Sequence, residues 1–196
     1  MDKRATATIL AGLFSIFLII MFLCTLATQI FLHGCIWWEC APERDFHVHE
    51  LGLPESLFPD DALVEPISAS SEGNGEIERG SQTIFLSYGG AGYSIKRYPS
   101  IRKAISEYKF EVNHMTDFGT QSPWTTPKNI TFNSATADSI YIACGQGVQG
   151  QECGFTGRYK EYVIYFSASI GERITFEDFE KILVYIDKQI SNRLYP

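Results

Sequence analysis

The sequence predicts an α+β fold in which one N-terminal transmembrane helix precedes one extracytoplasmic domain with a mainly antiparallel sheet, covered by a C-terminal helix and a second short helix. Three features point there. An uncharged run extends from Ala5 to Leu32, period-two alternation recurs after Gln82 with turn residues between the repeats, and an apolar stripe at helical spacing closes the chain. The expected divisions are 1–34, a cytoplasmic stub and signal anchor; 35–81, a juxtamembrane segment and proline-containing arm; and 82–196, the α+β core domain.

A bilayer core of roughly 30 Å takes about 20 apolar residues in a helix rising about 1.5 Å each, and Ile9 to Ala27 approaches that length alone. A cleavable signal peptide has an apolar core of about 7 to 15 residues. Ile9 to Leu23 fills that before Cys24, Leu26, Ala27, Ile30, Phe31 and Leu32 extend it, so length favours a retained anchor. The processed alternatives are cleavage after Thr25-Leu26-Ala27 and lipidation of Cys35 at Leu32-His33-Gly34-Cys35, where His33 departs from the small or β-branched residue usual there. Lys3 and Arg4 precede the run, while Trp37, Trp38, Glu39 follow it. The Lys/Arg excess therefore keeps the N-terminus in the cytoplasm and puts the rest outside. Trp37 and Trp38 suit the membrane interface, with ring bodies in lipid and N–H groups in water.

Sixteen Lys+Arg stand against 23 Asp+Glu, a net charge of -7. Nucleic acid is disfavoured as a partner, because phosphates need a basic surface. The nearest approach to one, Lys96, Arg97, Arg102 and Lys103, is interrupted by apolar residues. Cys24 lies in the membrane run, leaving Cys35, Cys40, Cys144 and Cys153 as an even set for an oxidising compartment. Three pairings exist. Short loops favour 35 with 40 and 144 with 153, whereas the C-x4-C and C-x8-C spacings do not match a zinc site.

Pro42, Pro54, Pro59 and Pro66 exclude a long helix from the arm, yet Leu51, Leu53, Leu57, Phe58, Leu63, Val64 and Ile67 are too apolar for a free tether. The arm should lie against the domain. Ser68 to Gly80, with Gly73-Asn74-Gly75, is the expected mobile segment. Gln82 to Tyr88 and Tyr93 to Arg97 alternate as a hairpin across Gly89, Gly90 and Gly92. Pro99 can open a helix with Ile101, Ala104, Ile105 and Tyr108 on one face, ending before the strand-like Phe110 and Val112. Asp117 to Asn133 reads as a surface excursion with at most a brief strand near Ile130, and Asn129-Ile130-Thr131 is a glycosylation acceptor in a eukaryote. Ser139 to Cys144 and Gly154 to Tyr159 are further strands. Tyr162, Ile164, Phe166, Ala168 and Ile170 then share one face of the strongest strand. Thr175 caps a last helix striped by Phe179, Ile182, Leu183, Ile186, Ile190 and Leu194, with Glu180, Asp187, Lys188 and Ser191 opposite.

No motif calls for catalysis, a cofactor or a metal. Gly145-Gln146-Gly147-Val148-Gln149-Gly150 matches G-x-G-x-x-G, but a strand rather than a helix follows, so it reads as a hairpin loop clipped by Cys144 and Cys153. His47-Val48-His49 offers two imidazoles on one strand face without nearby further ligands. The carboxylates Glu55, Asp60, Asp61 and Glu65 fit a solvated face, and no G-x-S-x-G occurs. Tyr88, Tyr93, Tyr98, Tyr159 and Tyr165 fit core packing better than a carbohydrate or peptide groove. The expected function is a non-enzymatic binding or accessory module on the membrane, with a membrane-protein partner in prospect. An extracytoplasmic hydrolase and a sensor input domain are the alternatives.

Overall fold

A computed structural model describes residues 3–70, 75–117, 124–147 and 150–195. Contacts divide the chain into two compact units, Met1–Cys40 and Ala41–Pro196.

In the first unit, α1 (Lys3–His33) contains Gly12–Phe31, whose mean hydropathy of 2.3 and length of 20 residues are enough to cross a membrane. Gly34 ends the helix at φ 67°, a left-handed conformation that glycine adopts without steric cost, and its N–H returns to the Ile30 carbonyl at 2.9 Å. A 3-10 turn, Trp37–Glu39, follows inside the Cys35–Cys40 disulfide.

The second unit is a mostly antiparallel sheet with helices, an α+β fold. Its strands are β1 (Leu63–Val64), β2 (Ser68–Ser70), β3 (Glu78–Phe85), β4 (Gly90–Arg97), β5 (Ser139–Gly147), β6 (Gly150–Tyr159) and β7 (Tyr162–Ser169). They run in the order β1-β3-β4-β7-β6-β5, with β2 also on β3. Two helices complete it, α2 (Ile101–Asp117) and α3 (Phe176–Leu194). The registers Tyr93↔Phe166 and Phe155↔Phe166 put Tyr93, Phe155, Phe166, Ile84, Ile95 and Ile164 on one face. There they join the α3 stripe, with the Phe166 and Phe179 rings 5.4 Å apart, and the arm residues Phe46, Val48, Leu51, Leu53 and Phe58 in one core. Across the sheet, Tyr98, Ala104 and Val163 form a smaller cluster, and Met115, Trp124 and Ala143 another.

Thr175 caps α3 as its sequence implies: its hydroxyl accepts the Asp178 N–H and the Asp178 carboxylate accepts the Thr175 N–H. Elsewhere the structure departs from expectation. The α2 helix runs on through Phe110 and Val112, capped by the Ser100 hydroxyl rather than opened by Pro99. Its buried line is Ala104 and Met115, with Tyr108 partly buried, while Ile101 and Ile105 are exposed. The hairpin begins earlier, at Glu78, and Leu86 to Tyr88 belong to its turn. Part of the supposed mobile segment is paired, Ser68–Ser70 against Arg79–Ser81. Gly73 and Asn74 lie outside the described residues, and Gly75 takes φ 89°. Residues 118–123 of the expected excursion also lie outside them. Its next residue, Trp124, is buried rather than on the surface, and Thr125 bridges to Cys144, while Ile130 lies outside any strand, within the expectation of at most a brief one there.

The G-x-G-x-x-G stretch is strand to Gly147 and again from Gly150, with Val148 and Gln149 outside the described residues. Cys144 and Cys153 therefore do not clip loop ends; they face each other in register, Cα to Cα 4.1 Å. The backbone groups of Cys144 explain the closeness. Its N–H and C=O both bond Thr125, at 2.8 and 2.9 Å, so they point away from β6 and leave the closer, non-hydrogen-bonded type of pair.

Candidate functional site

Among the described residues, three polar constellations tie distant segments of the domain together. The first lies where the chain enters it. Ala41 N–H bonds the Pro99 carbonyl at 2.7 Å, and the Arg97 guanidinium bonds the Pro42 carbonyl. Arg44 holds the fully buried Glu161 carboxylate through two hydrogen bonds, at 2.7 and 3.0 Å. Arg97 stands 3.9 Å from both Glu161 and Glu78 and over the Tyr162 ring. Glu78 in turn meets His47 Nδ1 at 2.9 Å and the Val48 N–H. His47 and His49 are thus not on a strand: His47 precedes the 3-10 turn Val48–Leu51, and the two rings stack at 5.4 Å. The carboxylate raises the Arg44 pKa chiefly by hydrogen bonding. This network fastens the arm to the β6–β7 turn.

The second constellation corrects the expected solvated side of α3. Asp187 accepts from Tyr159 at 2.9 Å, from Thr136 at 3.1 Å and from Ser134, while Glu180 accepts the Thr131 hydroxyl and N–H. Together they fasten residues 131–136 along the helix. Burial, reinforced by Asp187, raises the Tyr159 phenol pKa far above its ordinary value, and burial does the same for Tyr93, Tyr98 and Tyr162. Those tyrosines stay neutral near pH 7.

The third constellation lies at the opposite end of the sheet, where the β3–β4 turn faces the segment after β7. Ser87, Tyr88, Gly89, Ser169, Ile170, Gly171, Glu172 and Arg173 line a cleft of about 700 Å³. Asp61 joins its two walls: it accepts the Ser87 hydroxyl at 3.2 Å and pairs with Arg173 at 3.1 Å. Tyr88 is 86% exposed, unlike Tyr93, Tyr98 and Tyr159, which are core. Tyr165 is half-buried. A shallower trough of about 350 Å³, lined by Thr83, Phe85, Gly92, Glu152 and Ser167, continues past Gly89 and Ser169.

In the first unit, Trp37 and Trp38 are 54% and 72% exposed beside the Cys35–Cys40 disulfide. Among the described residues, no three His, Cys, Asp or Glu side chains are grouped to hold a metal. No family model, curated protein or solved structure matches this chain. The geometry stands alone.

Sequence inspection missed the Arg44–Glu161 pair, whose members are 117 positions apart, and the role of Asp187. It also placed Asp61 on a bland acidic face. A usable signal existed at Tyr88: an aromatic followed by two glycines at a turn has few neighbours to cover it.

Proposed function

We propose that this chain is a non-enzymatic binding or accessory module, held outside the cytoplasm by a single retained helix with its N-terminus inside. The observation that carries the proposal is the succession of a helix apolar enough to span, a disulfide loop with two exposed tryptophans, and a domain with a second disulfide in its core. Disulfides persist in oxidising compartments, and Lys3 and Arg4 favour a cytoplasmic N-terminus. Trp37 and Trp38 fit the headgroup level on the outer side. Two polar networks of the domain are committed to holding its segments together, and the cleft between the β3–β4 turn and Arg173 is a concave surface open to a ligand or membrane-protein partner.

Protease added to intact cells or spheroplasts tests this: it should degrade everything after Trp38. Intact mass of the membrane-extracted protein should show a chain that still carries Met1 to His33 and no lipid on Cys35. Protection of the domain would overturn the orientation, and a mature chain starting at Thr28 or Cys35 would overturn the retained anchor.

A further inference from the structure

We infer that the cleft and its adjoining trough bind a neutral glycan, an inference that rests on the extracytoplasmic placement proposed above only for where the glycan is met. A volume of about 700 Å³ suits a small ligand or a few units of a chain. Its chemistry narrows the class. Tyr88, 86% exposed, stands on the cleft, and Phe85, 49% exposed, on the trough, with Gly89 lining both. A pyranose ring has an apolar C–H face that lies on an aromatic face and a rim of hydroxyls that both donate and accept. The hydroxyls of Ser87, Ser169, Ser167 and Thr83 and the carboxylates of Glu172 and Glu152 line the same surface.

Of the lining glycines, Gly89 is required by its φ of 78° and Gly90 by the Ile84 carbonyl 3.0 Å from where its Cβ would be, but Gly92 and Gly171 are not required by packing. A Cβ on Gly92 would meet only Ser167 Oγ, at 3.6 Å, and one on Gly171 would meet nothing within 4 Å. Alanine fits the fold at either place, so the missing side chains leave room above β4 at Gly92 and in the cleft wall after β7 at Gly171. Both walls are set beforehand, since Asp61 ties Ser87 to Arg173. The charge pattern excludes an anionic chain: Asp61 already neutralises Arg173, the one cation among the described residues lining the cleft, while Glu152 and Glu172 line the surface and the protein carries -7. An extended peptide would want deep apolar pockets for its side chains, and the trough is shallow with a floor of glycine and serine.

The test uses the full chain in detergent micelles, titrated calorimetrically with chitohexaose, cellohexaose and xylohexaose in turn. Saturable binding of at least one is expected. Tyr88→Ala should weaken it tenfold or more without changing the melting temperature, whereas Phe110→Ala, on the exposed side of α2, should leave it unchanged. No binding of any of the three, or equal binding by Tyr88→Ala, overturns the inference, as would preference for an acidic glycan or a peptide. Glycan binding is read independently of protease accessibility, so either result can fail while the other holds.

Discussion

Arg44 and Glu161 form a bidentate ion pair across 117 residues of sequence, with the carboxylate wholly buried and the Arg44 side chain partly buried. Removing one member of such a pair strands the other. Arg44→Ala should destabilise the domain by about 3–5 kcal/mol, with Arg97 at 3.9 Å holding the loss toward the lower figure. Replacing both members, Arg44→Leu with Glu161→Leu, should cost far less than Arg44→Ala alone. Denaturant unfolding of the three proteins checks it, and equal losses in single and double variants would show the pair to be incidental.

The Cys144–Cys153 disulfide joins residues nine apart in sequence and directly opposed in register. Replacing both cysteines by alanine should lower stability by roughly 2–3 kcal/mol, mainly by freeing the unfolded chain. Any binding measured at the cleft should survive wherever the domain stays folded. Free thiols in the non-reduced protein would contradict the structural role.

Two glycines of the G-x-G-x-x-G stretch should respond differently to alanine. A Cβ on Gly145 would lie 2.2 Å from Trp124 Cδ1, a buried ring; one on Gly147 would lie equally close to the Glu152 carboxyl, the far end of a flexible side chain. Gly145→Ala should cost about 1–3 kcal/mol and disturb Trp124 fluorescence. Gly147→Ala should cost well under 1 kcal/mol, about what a surface change costs. Similar costs at both sites would mean that Trp124 does not set the requirement.

At the start of α3, the Thr175 hydroxyl and N–H depress the Asp178 pKa below its ordinary value. The folded state therefore favours the carboxylate. Its contribution is complete above the unfolded pKa near 4 and is lost as pH falls through the lower folded value. Thr175→Ala should cost about 1 kcal/mol at pH 7, and Asp178→Asn should flatten the acid limb of stability against pH. An unchanged acid limb in Asp178→Asn would exclude the linkage.

The α3 helix was legible because its core side is one unbroken stripe, Phe179 to Leu194, with a cap and acidic residues at its start. The α2 helix was legible only at its beginning. Its buried line of Ala104, Tyr108 and Met115 is weak in hydrophobicity, and exposed Ile101, Ile105 and Phe110 blur it, so Phe110 and Val112 imitate a strand. The central strand β7 declared itself by alternation, since one face meets α3 while the other is partly open. Pairs such as Arg44–Glu161 and Asp61–Arg173 carry no local signal. Each is a product of topology, visible only after the sheet has brought distant segments together.

The sheet also sets how the domain bears load. Ala41 and Arg44 are fixed at the end of β4 and β7 marked by Arg97 and Tyr162, whereas the cleft opens at the other end, beside Gly90 and Ser169. The eight residues of β4 from Gly90 to Arg97 separate the two by seven rises, about 23 Å at the usual strand rise of about 3.3 Å. A pull between the cleft end and Ala41 therefore runs parallel to the strands. Both β4 and β7 span the whole distance between those two points, so such a load is carried along the two strands in parallel, and their interstrand hydrogen bonds hold the pair in register under it.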